Sequence, residues 1–188
     1  MKKVIMGCVT LGFLVMPITL LANEASVNKI NRLERKVEKL TGQIDKVVVN
    51  SRRARKISEK FKKVAIAHLN VVSSFIDQKS TCQNLEDTYK KKNKEKDLEI
   101  RVKIKQKRNI RNCYSTLEGL IYDFEDMSVS FMKLKKSITI LKDISETDQA
   151  AIPSYEKQIT VLEKMITEAK VIVTLSPSEV EDAIDSSM

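Results

Sequence analysis

Few residues in this chain could do chemistry. His68 is the only imidazole among 188 residues. It falls on an apolar helical seam between Val64 and Val71, with no Cys, Asp or second His in its helical neighbourhood. That setting describes a packing or register residue rather than a metal ligand or a general base. Asp123, Glu125 and Asp126 form an acidic cluster, but at spacings too ordinary for a metal or acid–base site. Gly7 and Gly12 lie in an N-terminal apolar run, so only Gly42 and Gly119 remain for the rest of the chain. Two isolated glycines build no phosphate-cradling loop. No Asn-x-Ser/Thr acceptor occurs. The composition points away from an enzyme, and no cofactor or metal is expected.

The cysteines carry more. Cys8 follows Ile5-Met6-Gly7, too close to Lys3 to serve as an acylation site. Cys82 and Cys113 are not a close C-x-x-C pair, which argues against a redox enzyme. They suit one structural bridge in an oxidising compartment. The N-terminus is consistent with such a destination. Lys2 and Lys3 precede an apolar run from Val4 to Leu21, then Ala22 and the polar pair Asn23-Glu24. This is the layout of a signal peptide over residues 1–22, cleaved after Ala22, of the bacterial kind. Leu20 and Leu21 are larger than a cleavage site prefers, so an uncleaved inner-membrane anchor is the alternative. The expected location is periplasmic or secreted.

The elements that position these residues read as helical nearly throughout. Ile30, Leu33, Val37, Leu40, Ile44 and Val47 step by 3, 4, 3, 4, 3, a heptad seam. Ile30, Val37 and Ile44 occupy a positions, the pattern of a parallel two-stranded coil. A coiled-coil arm over 23–50 and a homodimer through this seam are the sharp expectation. The plain one is that the arm packs on its own bundle. Two consecutive steps of three, Ser51 to Ala54 to Ile57, form a stammer that overwinds or bends the coil. A second seam follows: Ile57, Phe61, Val64, His68, Val71 and Phe75. One helix over 27–78 would be about 78 Å long.

A further helix is predicted from Tyr114 to about Ile144, on Leu117, Leu120, Phe124, Met127, Phe131, Leu134, Ile138 and Leu141. Another is predicted from Ser154 to about Leu175, with Pro153 at its start. The fold class is all-α: an elongated antiparallel helical bundle, with a three-helix bundle over 51–175. Ser176-Pro177-Ser178-Glu179 is a capping box, which predicts a short acidic helix within 176–188.

The segment 83–112 stands apart, with eleven Lys/Arg against five Asp/Glu. It reads as a basic projecting hairpin, turning near Asn93–Asp97 and stapled at its base by the bridge. Leu98 to Lys105 alternates strictly, a period-2 strand signal without a partner run. Continued helix is the favoured reading.

Charge is uneven. The chain carries a net charge of +9. Arg52, Arg53, Arg55, Lys56, Lys90, Lys91, Lys92, Arg101, Lys103, Lys105, Lys107 and Arg108 are the candidate partner-binding patch. Residues 143–188 hold ten acids and three lysines, able to pair within the molecule or between subunits. With no Trp and aromatics at 5%, a nucleic-acid partner is not expected. The leading expectation is an exported coiled-coil interaction or structural protein, an adaptor or assembly component of the envelope that meets a protein partner. A contact with anionic lipid or polysaccharide is the wider option. A periplasmic holdase chaperone, or a secretion-system or surface-adhesion component, is the alternative.

Overall fold

The structure, a computed structural model, describes residues 18–94 and 99–175. The predicted signal peptide lies almost wholly outside these residues, as does the acidic segment 176–188. Among the described residues the chain forms four α-helices and no strand. They are α1 (Ile18–Asp45), α2 (Arg52–Lys94), α3 (Ile100–Ile144) and α4 (Ile152–Ile172), with one 3-10 turn (Gln149–Ala151) before α4. The all-α antiparallel bundle read from the heptads is what forms.

The helices run up and down around two apolar clusters. One lies near the α1–α2 and α3–α4 links. It joins Leu40 and Ile44 to Ala54, Phe61, Phe131, Leu134, Leu141, Tyr155 and Leu162. The other lies towards the opposite end. It joins Ile30 and Leu33 to Val72, Phe75, Cys82, Cys113, Leu117, Phe124, Ala169 and Val173. The start of α1 and the end of α4 therefore share the end of the bundle from which α2 and α3 run on.

Two expectations are corrected here. Residues 27–78 are not one helix: α1 stops at Asp45 and α2 starts at Arg52. The stammer marks a chain reversal. Val47, Val48 and Val49 are β-branched and weak helix formers. Ser51 then caps α2, its Oγ accepting the Ala54 N–H at 3.0 Å.

The second correction follows from the first. Folded back, α1 becomes the fourth helix of the bundle rather than a free arm. Ile30, Leu33, Val37, Leu40 and Ile44 are buried within their own chain, and Val47 is half-buried. Burying one such side chain stabilises by about 1.5–3 kcal/mol. Docking within the chain gains this without the association cost a dimer carries, about 4–15 kcal/mol. Pairing two subunits through this seam would require α1 to leave the bundle.

Cys82 and Cys113 are bridged, with Cα atoms 5.6 Å apart. The bridge does not mark helix ends, because α2 continues to Lys94 and α3 starts at Ile100, well before the predicted Tyr114. Residues 98–105 supply no strand among the described residues; from Ile100 they are helical.

Two outcomes follow. Leu40→Ala should destabilise the protein by about 2–5 kcal/mol in urea melts without changing its sedimentation coefficient; a shift in assembly state instead would return the seam to an intersubunit role. Cys82→Ser should lower the stability of the oxidised protein by about 3–4 kcal/mol, the chain-entropy value for a loop of this size, with unmodified protein giving no free thiol at these positions.

Candidate functional site

Past the bridge, α2 and α3 continue as a two-helix hairpin. From Cys82 to Lys94 the helix rises about 18 Å. Its internal contacts are thin. Glu86, Tyr89 and Ile110 are buried between the two helices. Glu86 Oε2 lies 3.7 Å from Lys90 Nζ. Glu86 Oε1 and Gln106 Oε1 are buried without a hydrogen-bond partner among the described residues, an arrangement that weakens packing.

The outer surface of the hairpin is cationic. Residues 100–112 hold six Lys/Arg and no acid. Among the described residues, Lys91, Lys92, Arg101, Lys103, Lys105, Lys107, Arg108 and Arg111 enter no ion pair. In the bundle four lysines are paired, while others, Arg52, Arg53, Arg55, Lys56, Lys133 and Lys136 among them, enter no ion pair among the described residues. Glu156 pairs with Lys142 at 2.9 Å and Glu163 with Lys135 at 3.2 Å, both between α4 and α3. Glu168 pairs with Lys36 of α1, and Asp45 with Lys62 of α2. The acids of α4 are thus spent on bundle lysines, and the hairpin charge is left open.

The predicted patch divides in two. Arg52, Arg53, Arg55 and Lys56 sit on the first turns of α2, and Lys90 to Lys92 on its last. At about 1.5 Å per residue these groups are about 57 Å apart. Lys90, Lys91 and Lys92 share the hairpin with Arg101, Lys103, Lys105, Lys107 and Arg108. The Arg52 group does not join them.

At the link end, Asp148 is buried and organises the reversal. Its Oδ1 accepts the Asn50 N–H at 3.0 Å and the Ser51 N–H at 3.2 Å, and Oδ2 accepts the Ser145 hydroxyl at 3.0 Å. The Ser51 hydroxyl, these two N–H groups and the Ser145 hydroxyl hold its carboxyl below the ordinary range, against the opposing effect of desolvation. Tyr155 is buried beside it in the core. Its hydroxyl donates to the Ala54 carbonyl at 2.9 Å and lies 2.7 Å from Ser58 Oγ. Sequence reasoning missed Asp148, for which only the pairing with Ser145 was a local signal.

His68 is a core residue. Nδ1 lies 2.8 Å from the Val64 carbonyl, which can only accept, so Nδ1 carries the hydrogen. Nε2 is buried without a partner among the described residues. The ring stands edge-on to Phe124 at 5.5 Å. It also lines a cavity of about 10 Å³ with Leu33, Ala65 and Met165. Burial lowers its pKa, only partly offset by the Val64 hydrogen bond. Asp123, Glu125 and Asp126 face solvent on α3. Among the described residues no three His, Cys, Asp or Glu side chains gather as a metal site. No described helix is long and apolar enough to cross a membrane.

The side chains that heptad reading passed over are exposed and apolar. Ile100 is 76% and Ile104 62% exposed at the hairpin tip. Tyr122, Val129, Met132 and Ile140 are exposed along the outer side of α3. Their signal was present: large apolar residues off the seam of a helix already assigned. The chain matches no protein-family model, no curated protein and no solved structure. The fold and its surface define a class only, a four-helix bundle that extends two of its helices as a bridged cationic hairpin.

The titrations give a prediction. Below the ordinary imidazole value of 6.5 the unfolded chain binds a proton that folded His68 resists. Stability should therefore fall as pH drops from about 6.5 towards 5, and His68→Leu should flatten that slope in urea midpoints. Asp148, with its lowered pKa, should add a second loss as pH falls below about 4. An unchanged slope in the His68 variant would contradict the assignment, since no other imidazole exists.

Proposed function

We propose that this protein is an exported interaction protein, an adaptor or assembly component of the bacterial envelope, that docks through its cationic hairpin onto an acidic surface. The observation that carries the reading is the density of one sign of charge on a projecting element: residues 100–112 hold six Lys/Arg and no acid. Among the described residues, bundle lysines 36, 62, 135 and 142 meet carboxylates. Of the cations beyond the bridge whose side chains are described, all but Lys90 meet none. Unpaired charge of one sign on a projecting element adds nothing to the fold and serves long-range attraction of an opposite surface. Export is supported by the Lys2-Lys3 start and the Val4–Leu21 run, and by a bridge of the kind that persists outside the cytosol. The described residues offer contact surfaces and no constellation of nucleophile, base and orienting group.

Envelope fractionation tests this. The protein should sediment with envelopes at about 0.1 M salt and be released near 1 M, where the Debye length shrinks to about 3 Å. A variant with Arg101, Lys105, Arg108 and Arg111 changed to Gln should stay soluble at both salts while melting like the unmodified protein. Equal sedimentation of the variant would refute the reading. Suppression of aggregation of a denatured outer-membrane protein, undiminished in the variant, would favour the holdase alternative.

A further inference from the structure

The hairpin combines charge with exposed aliphatic side chains, and the two share one face. At about 100° per residue, Ile100, Ile104, Lys107, Arg108 and Arg111 fall within an arc of about 100° on α3. Ile100, Ile104, Arg108 and Arg111 are exposed and Lys107 is half-buried. Ile110 and Cys113, on the other side, are buried against α2. Arg101 and Lys105 flank the arc, and no acid lies between residues 100 and 112. The isoleucines occupy the tip, and the cations follow towards the bridge.

Stability does not account for this face. Glu99 at the N-cap is the one acid the helix dipole favours there; the first turn itself holds none and carries Arg101 and Lys103, which the dipole disfavours. Isoleucines at 76% and 62% exposure gain little from the fold. An acidic protein would use the cations without needing an aliphatic tip. A bilayer uses both, since its headgroups attract the cations and its acyl boundary takes the isoleucines.

Placement agrees. Ile30 of α1 belongs to the same apolar cluster as Cys82 and Cys113. From Ile30 back to Ile18 the helix covers about 18 Å in the direction of the bridge and hairpin. The start of α1 at Ile18 therefore lies at the hairpin end of the bundle. Before cleavage after Ala22, an export signal still held in a bilayer would leave the tip facing that bilayer.

We infer that the Ile100–Arg111 face of the hairpin docks on an anionic lipid bilayer, with Ile100 and Ile104 entering the headgroup layer and Arg101, Lys105, Arg108 and Arg111 pairing with lipid phosphates. The inference rests on the proposed docking role of the hairpin and names the surface it meets.

Co-sedimentation of the full exported protein with vesicles tests it. Phosphatidylglycerol vesicles should bind the protein at about 0.1 M salt, and phosphatidylcholine vesicles should not. R101Q/K105Q/R108Q/R111Q should weaken binding by at least about 100-fold, since each basic residue near an anionic surface contributes severalfold. I100N/I104N should weaken it by about 10-fold or more. K133Q/K136Q, which removes two exposed cations elsewhere on α3, should leave it unchanged. The exported protein is used after removal of residues 1–22, so the apolar run adds no lipid affinity of its own, and thermal melts verify that each variant is folded. Equal binding to both lipids, or indifference to the hairpin variants, would overturn the inference. Salt-sensitive, hairpin-dependent sedimentation with envelopes but not with phosphatidylglycerol would overturn the lipid assignment alone and identify an acidic protein or polysaccharide as the partner. Loss of both would remove the docking role as well.

Discussion

The Cys82–Cys113 bridge holds together two helix segments whose own charge drives them apart. Residues 83–112 carry eleven cations and five acids. Among the described residues they bury only Glu86, Tyr89 and Ile110 between the paired helices. Apolar contact alone is too thin there to set a register, and like charge opposes approach. The bridge fixes proximity and register at the point where bundle packing gives out, with Cα atoms 5.6 Å apart. Below it lie dense contacts of Phe75, Leu117 and Phe124. Above it lies a surface shaped by charge. The division between the densely packed bundle and the cationic hairpin falls at this covalent link.

The other reversal is built from hydrogen bonds. At the α1–α2 link, Asp148 collects two backbone N–H groups from a segment nearly a hundred residues away and ties it to the α3–α4 link. That tie returns α1 onto the bundle and consumes the seam that would otherwise offer a dimer interface. The consequence reaches function. With α1 spent internally, a coiled-coil arm no longer supplies the contact surface, and the hairpin becomes the most distinctive exposed feature. Ion pairs along α4 reinforce this by neutralising bundle lysines on α1 and α3.

Much of this was legible in the sequence. Leu117, Phe124, Phe131, Leu134, Ile138 and Leu141 announced α3 by period alone, and the cysteine positions implied an antiparallel pair. Periodicity says which residues are buried but not what they are buried against. Ile30 to Ile44 read equally well as a dimer seam and as a fourth bundle helix. The break at 46–51 was visible only as a stammer, because its anchor, Asp148, is distant in the chain. Ile100, Val102 and Ile104 imitated a strand because exposed isoleucines on a helix violate the amphipathic pattern. Linear charge density merged Arg52 with Lys92, although one helix separates them by its length. Which four bundle lysines are paired, and that the described hairpin cations other than Lys90 are open, could be known only once the partners of each were placed.

The central claim is that contact is made at the hairpin and not along the bundle. Lysine acetylation footprinting of the oxidised protein, with and without isolated envelopes, tests it most directly. The account predicts that Lys91, Lys92, Lys103, Lys105 and Lys107 lose reactivity when envelopes are added, while exposed Lys133 and Lys136 on the bundle part of α3 keep theirs. Protection of Lys133 and Lys136 with the hairpin lysines still reactive would contradict it.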